Sequence, residues 1–151
     1  MNYWSWDPSL SIGIDTIDEQ HKRILDYINE LGEARTEKNK EKVTQVLEGL
    51  VDYTATHFQF EEDLMEKSGY YLSDAHKRVH RSFIAIINRY IERHHAGEDI
   101  TRKLMSDLQV WLVSHIKKDD LDYAPLVKKH LKRNRPWIQR SLKRLFGKYK
   151  D

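Results

Sequence analysis

Four stretches of this chain repeat an apolar residue every three or four positions, and each places at least one histidine in the same stripe. That spacing lines one face of a helix. Ile17, His21, Ile24, Ile28 and Leu31 define a first helix, predicted from about Asp18 to Thr36. Asn39 is suited to cap a second, whose face carries Val43, Val46, Leu50, Thr54, His57, Glu61 and Leu64 and which ends at the Ser68-Gly69 break. Ser73 is the expected N-cap of a third, with His76, His80, Phe83, Ile87 and Tyr90 on one face and His95-Ala96-Gly97 closing it. A fourth is expected to begin near Asp99, align Leu104, Leu108, Trp111 and His115, and stop at Asp119-Asp120 and Pro125. Four helices of roughly 20 residues with short links pack most economically as an up-and-down antiparallel bundle. The predicted fold is therefore all-α, preceded by an irregular aromatic N-terminal arm.

Composition narrows the chemistry. At 151 residues, with three prolines and six glycines, the chain has the size and profile of one helical domain. It has no cysteine, which excludes disulfides, thiolate zinc sites, iron–sulfur clusters and cysteine nucleophiles. Any metal must be held by His, Asp or Glu. The N-terminus lacks a basic start followed by an apolar stretch, and nowhere do about 18 apolar residues run together. The expectation is a soluble, cytoplasmic protein.

The histidines matter by their placement. Among eight histidines, about 0.4 His-x3-His pairs are expected by chance, so His76 and His80 are a weak signal alone. His94-Glu98 and His95-Asp99 show how cheap such spacings are, since both straddle the Gly97 break. His21, His57, His76, His80 and His115, however, all occupy apolar faces. In an antiparallel bundle their levels coincide within a few turns at about 1.5 Å per residue. Any one of them alone reads best as a core histidine satisfied by a hydrogen bond. Five at one level carry a mutual desolvation cost unless a cation collects their lone pairs. Glu61, one turn after His57, aims a carboxylate into the same space and needs a cation for the same reason. The donors are too many for a four-coordinate zinc. They suit two octahedral-preferring ions bridged by carboxylates, and the imidazoles favour iron, manganese or another transition ion over magnesium or calcium.

The stretches WDPSLSIGIDTIDEQH, HFQFEE, HKRVH and HIKKDDLDY, in this order between about Trp6 and Tyr123, resemble the hemerythrin family, specifically its single-domain bacterial members. The resemblance implies a non-haem centre of two oxo- or hydroxo-bridged irons that binds dioxygen reversibly. By motif, His76, His80 and His115 hold a saturated iron, and His21 and His57 hold the iron with an open position. Glu61 and Asp120 bridge both. α-Helical spacing alone selects Asp119, four residues after His115, so Asp120 rests on the resemblance. Phe58, Trp111 and Leu112 lie beside ligand positions and are candidates for a dry oxygen pocket, with plain core packing as the alternative. Tyr123 matches the family pattern and is expected to close the end of the bundle. Ferritin-like di-iron enzymes use more carboxylates, typically in Glu-x-x-His pairs, and the pair of that kind here, Glu92-His95, lies off the proposed site.

The net charge of +2 conceals a division. Residues 128–151 carry ten Lys/Arg and one acid, leaving 16 basic and 23 acidic residues before them. The chain is accordingly expected to comprise a di-iron bundle over 1–127 and a basic amphipathic extension over 128–151, the latter outside the resemblance because simple family members end soon after the position of Tyr123. Pro136 can open a helix with Ile138, Leu142, Leu145, Phe146 and Tyr149 on one face and Arg140, Lys143 and Arg144 opposite. Such a helix either packs on the bundle, with its cations solvated, or docks on an anionic membrane surface or an acidic protein. Membrane docking would make the protein peripheral to the inner membrane. Nucleic acid is not expected, as no recognition motif accompanies the charge. The function implied is that of an oxygen carrier, store or local supplier rather than an enzyme. The alternatives are an oxygen or redox sensor signalling through the tail, and a di-iron enzyme reducing peroxide or nitric oxide.

Overall fold

The computed structural model describes residues 4–149, which are mostly helical with no strand among them. Residues 1–3 of the arm and 150–151 of the tail lie outside the described residues. The bundle consists of α1 (Asp15–Thr36), α2 (Lys40–Ser68), α3 (Ser73–His95) and α4 (Thr101–His115), joined by short turns that make sequential helices antiparallel. α1 packs on α2 and α4, and α2 packs on α3.

The helix ends show why the chain turns where it does. The Asn39 side chain accepts from Lys42 N at 3.0 Å and caps α2. Gly69, at φ 75°, takes the left-handed conformation that lets it and Tyr70 return N–H groups to the last carbonyls of α2. Ser73 is not the cap expected of it: it is the first residue of α3, Leu72 occupies the cap position, and the Ser73 hydroxyl is buried without a partner. The fourth helix starts at Thr101, with Asp99 accepting from the Thr101 hydroxyl at 2.8 Å.

Nor does the fourth helix stop at Asp119-Asp120. It passes through a π turn, Ile116–Asp120, into α5 (Leu121–Arg133), which contains Pro125. The ladder re-registers across the π turn. The N–H that Pro125 lacks would have served the carbonyl of Leu121, a residue half exposed to water, so the helix continues.

The N-terminal arm is tied down rather than loose. The Asn29 side chain accepts from Trp4 N at 2.9 Å and donates to Trp4 O at 2.8 Å, and Asp18 accepts from Ile12 N at 3.0 Å. Leu10, Ile12 and Ile14 are thereby buried. The tail takes the packed alternative. α6 (Arg135–Phe146) follows α5 after a break at Asn134 and lies on α2. The Phe146 ring sits 5.7 Å from both Tyr53 and Phe60, and Tyr149 lies 5.0 Å from Tyr53. Tyr149 also donates to Asp52 at 2.6 Å, and Arg144 pairs with Asp63 at 3.4 Å. The expected boundary between residues 127 and 128 falls inside α5. No helix among the described residues is long and apolar enough to cross a membrane.

Candidate metal centre

Each bundle helix delivers its histidine at the same end of the molecule. His21 is in the second turn of α1, His57 and Glu61 lie in the second half of α2, His76 and His80 open α3, and His115 closes α4. Asp120 ends the π turn. All seven are buried, none being more than 4% exposed. Since each lies in an otherwise apolar stripe, packing those stripes together forces the polar groups into one interior space.

Their donor atoms fall into two groups that share both carboxylates. Glu61, His76, His80, His115 and Asp120 form one, and His21, His57, Glu61 and Asp120 the other, with the atoms of each group within 4.8 Å of one another. Glu61 divides its oxygens between them. Oε1 lies 2.8 Å from His76 Nε2 and 3.1 Å from His80 Nε2, while Oε2 lies 3.0 Å from His57 Nε2. Asp120 does the same: Oδ1 is 3.0 Å from His76 and 3.1 Å from His115, and Oδ2 is 3.0 Å from His21. Five imidazoles thus present Nε2 toward two carboxylates that each span both groups.

Such an interior calls for positive charge. Both nitrogens of His21, Nε2 of His57, Oε2 of Glu61 and both oxygens of Asp120 are buried without a hydrogen-bond partner. The Nε2 atoms of His80 and His115 face each other at 3.2 Å, a separation that requires a proton on one of them or a cation taking both lone pairs. Protonation tendencies follow the same logic. Burial opposes charge on His76, yet Asp120 and Glu61 outweigh it and raise its pKa to about 9. In His115, too, burial is overcome, by Asp120, Asp119 and Glu61, and the pKa is raised well above the ordinary value. Burial prevails at His57, whose pKa falls. Burial pushes Glu61 and Asp120 up, as does the charge of Glu61 on Asp120, but the imidazoles hold both below the usual carboxylate range. The donor set fits metal ions, which replace those protons.

A further layer of side chains fixes the rings. Gln20 Oε1 lies 2.6 Å from His57 Nδ1, Glu62 Oε2 is 3.0 Å from His80 Nδ1, and Asp119 Oδ2 is 2.9 Å from His115 Nδ1. An acceptor on Nδ1 holds that nitrogen protonated and turns the Nε2 lone pair toward a metal. Asp119, the acid that α-helical spacing selects, lies at His115 Nδ1 and not among the cluster donors. It orients His115 from outside, while the wider π turn carries the residue five positions on, Asp120, back over the His115 face. Gln20 and Glu62 escaped the sequence reading. Each adjoins a cluster residue in the chain, but adjacency on a helix normally means opposite directions, and only the neighbouring helix shows which ring each meets.

Of the pocket candidates, Phe58 and Leu112 are buried and Trp111 is half-buried. Phe58 stacks on His80 with ring centres 3.8 Å apart, and Trp111 stacks on His115 at 4.5 Å. The two aromatic rings therefore wall the three-histidine side. Tyr123 is fully buried, with its ring 5.6 Å from His76 and its hydroxyl unpaired. Burial, followed by the charges of Glu61 and Asp120, keeps that hydroxyl protonated.

Residues 12–127 match the Hemerythrin family, described as the hemerythrin HHE cation binding domain. The chain belongs to the hemerythrin family. It is 46% identical to a bacteriohemerythrin of Stenotrophomonas maltophilia, over 94% of this chain and 97% of that one. A bacteriohemerythrin of Pseudomonas aeruginosa is 42% identical, over 97% of this chain and all of its own length. Crystalline wild-type hemerythrin superposes with a TM-score of 0.77 at 30% identity, covering 83% of this chain and 98% of that one. The family match ends at residue 127, whereas the alignment with the Pseudomonas aeruginosa relative, over 97% of this chain, runs on into the basic tail.

Proposed function

We propose that this protein binds dioxygen reversibly at a di-iron centre and serves as an oxygen carrier, store or local supplier. The observation that carries the reading is the division of Glu61 and Asp120, each with one oxygen toward a three-histidine group and the other toward a two-histidine group. In this reading His76, His80 and His115 would hold one iron and His21 and His57 the other, with Glu61 and Asp120 available to both. Iron bound there would supply reversible two-electron chemistry toward dioxygen, and the two-histidine side offers it fewer protein donors.

The rest is the work of this chain's own residues. Gln20, Glu62 and Asp119 hold three rings with Nε2 inward. Phe58 and Leu112 keep water from the cluster, which disfavours charge separation and loss of electrons to solvent. Neutral imidazoles offset by only two carboxylates leave the metal pair without the anionic surplus found in carboxylate-rich oxidases. The test is anaerobic reconstitution with ferrous ion followed by cycles of air and argon. About two irons per chain and a visible absorption band that appears and disappears with oxygen are expected. Irreversible oxidation in the first cycle would remove the carrier reading.

One observation favours a second reading, that of an oxygen or redox sensor. The tail docks through Tyr53 and Phe60 on α2, the helix that carries His57 and Glu61. Lys129, Lys132, Arg133, Arg135, Arg140 and Lys143 remain exposed beside it, and this basic face supports an anionic partner, whether acidic protein or membrane surface. With its apolar stripe spent on α2, the tail would meet such a partner by charge rather than by insertion. A sensor predicts that protease sensitivity after residue 133 differs between the reduced and oxidised protein.

A further inference from the structure

All seven cluster residues are buried, so a metal ion needs a way in. A surface cavity of about 330 Å³ between the α2–α3 turn and the start of α5 reaches the cluster: Tyr70, Leu72, Lys118, Asp119 and Asp122 line it, and so does His76. We propose that this cavity is the port through which divalent metal ions load the centre. Asp119 and Asp122 capture the ion, and His76 is the movable ligand that passes it inward. The inference rests on the reading of the cluster as a metal centre.

Two features together mark His76, for His21 also has an unpartnered Nδ1 but is wholly buried and away from the cavity. It is the most accessible of the seven, at 4% exposure against 2% or less for the others. Its Nδ1 also has no hydrogen-bond partner among the described residues, whereas Nδ1 of His57, His80 and His115 is held by Gln20, Glu62 and Asp119. The ring therefore lacks the tether that fixes those three, while its Nε2 already lies within 3.0 Å of both bridging carboxylates. A ring turning about its own side-chain bonds can take an ion from the cavity side and deliver it to Glu61 and Asp120.

The cavity wall supplies what a hydrated divalent cation meets first. Asp119 is 36% exposed and commits Oδ2 to His115, leaving Oδ1 free. Asp122 accepts from the Tyr70 hydroxyl through Oδ2, again leaving one oxygen. Carboxylate oxygens suit initial capture of a strongly hydrated ion, and imidazoles then retain a transition metal. Lys118 and the N-terminal turn of α3 oppose the approach of a cation on the same wall. Charge at two neighbouring positions should therefore change the loading rate in opposite directions.

The experiment mixes metal-free full-length protein with ferrous ion anaerobically, and separately with cobalt(II), in a stopped-flow instrument, and measures bound metal at the endpoint. Asp122→Lys is expected to load about tenfold more slowly and Lys118→Glu several-fold faster, both reaching wild-type stoichiometry. Glu48→Lys, exposed nearer the other end of α2, should load at the wild-type rate. The differences should shrink as ionic strength rises. Wild-type rates in both cavity variants, or changes of the same sign, would overturn the port while leaving the metal centre intact. A wild-type chain that binds no metal would overturn the metal-centre reading and the port with it.

Discussion

The two halves of the metal cluster are held very differently. On the three-histidine side, His80 and His115 have carboxylate partners on Nδ1 and aromatic rings stacked on their faces. On the two-histidine side, His57 has the neutral amide of Gln20, and His21 has no partner on Nδ1 and only the shared Asp120, 3.0 Å from Nε2. Two of the three rings on one side are thus held before any metal arrives, with His76 the untethered exception, and the other side depends on the metal to satisfy it. Under the proposed function this asymmetry is useful: His80 and His115 keep their geometry while the side with fewer donors accommodates change.

The sharpest way to break the comparison is to remove what the halves share. Glu61→Ala should abolish binding of both ions, since each loses a ligand and the bridge disappears, taking the metal content measured by elemental analysis close to zero. His57→Ala acts on one half only, and metal content should fall to about one ion per chain, retained by the anchored side. Loss of both ions in His57→Ala would show that the halves do not bind independently.

Smaller changes probe the anchors. Asp119→Asn and Glu62→Gln each weaken the acceptor on a ring of the three-histidine side and should lower metal affinity by about 10–100-fold in chelator competition. Gln20→Ala should cost less, because it removes a neutral partner.

The halves should also differ in pH response. In the metal-free chain His76 and His115 have raised pKa values, near 9 for the former. A raised folded value means that their contribution to stability is complete below the unfolded imidazole value, about 6.5, and is lost as pH rises through the folded value. Metal-free protein should therefore lose stability between neutral pH and pH of about 9, whereas metal-loaded protein, with ions in place of those protons, should not. Metal uptake at neutral pH should release protons, measurable by calorimetry in buffers of different ionisation enthalpy.

The smallest effect is expected farthest from the cluster. Phe146→Ala removes a half-buried ring from the tail's seat on α2 and should destabilise the chain by about 2 kcal/mol in denaturant unfolding, with metal content unchanged. Asp52, which accepts from Tyr149, has its pKa lowered by that bond. Its contribution to tail docking is present above the ordinary carboxylate value and is lost as pH falls through the folded one. Docking should therefore loosen in acid, seen as faster proteolysis after residue 133.

What could be read from residue order was whatever depends on helical period. The apolar stripes placed His21, His57, Glu61, His76, His80 and His115 inside, because a 3.6-residue repeat commits a face without reference to its neighbours. Asp120 was legible only through resemblance to a family, since α-helical spacing selects Asp119 and the π turn that reverses the choice leaves no mark in local propensity. The same turn made Pro125 look like a stop signal. Gln20, Glu62 and the seat of the tail on Tyr53 and Phe60 are contacts between helices, and a stripe says only that a face is covered, not by what. The sequence by itself determined the bundle and the buried histidine and carboxylate donors at its centre, because burying those stripes together admits few other outcomes. Which acid enters the cluster, which ring is tethered and which is free, and where the basic tail rests were decided by tertiary packing, because each depends on the angle and register at which two helices meet.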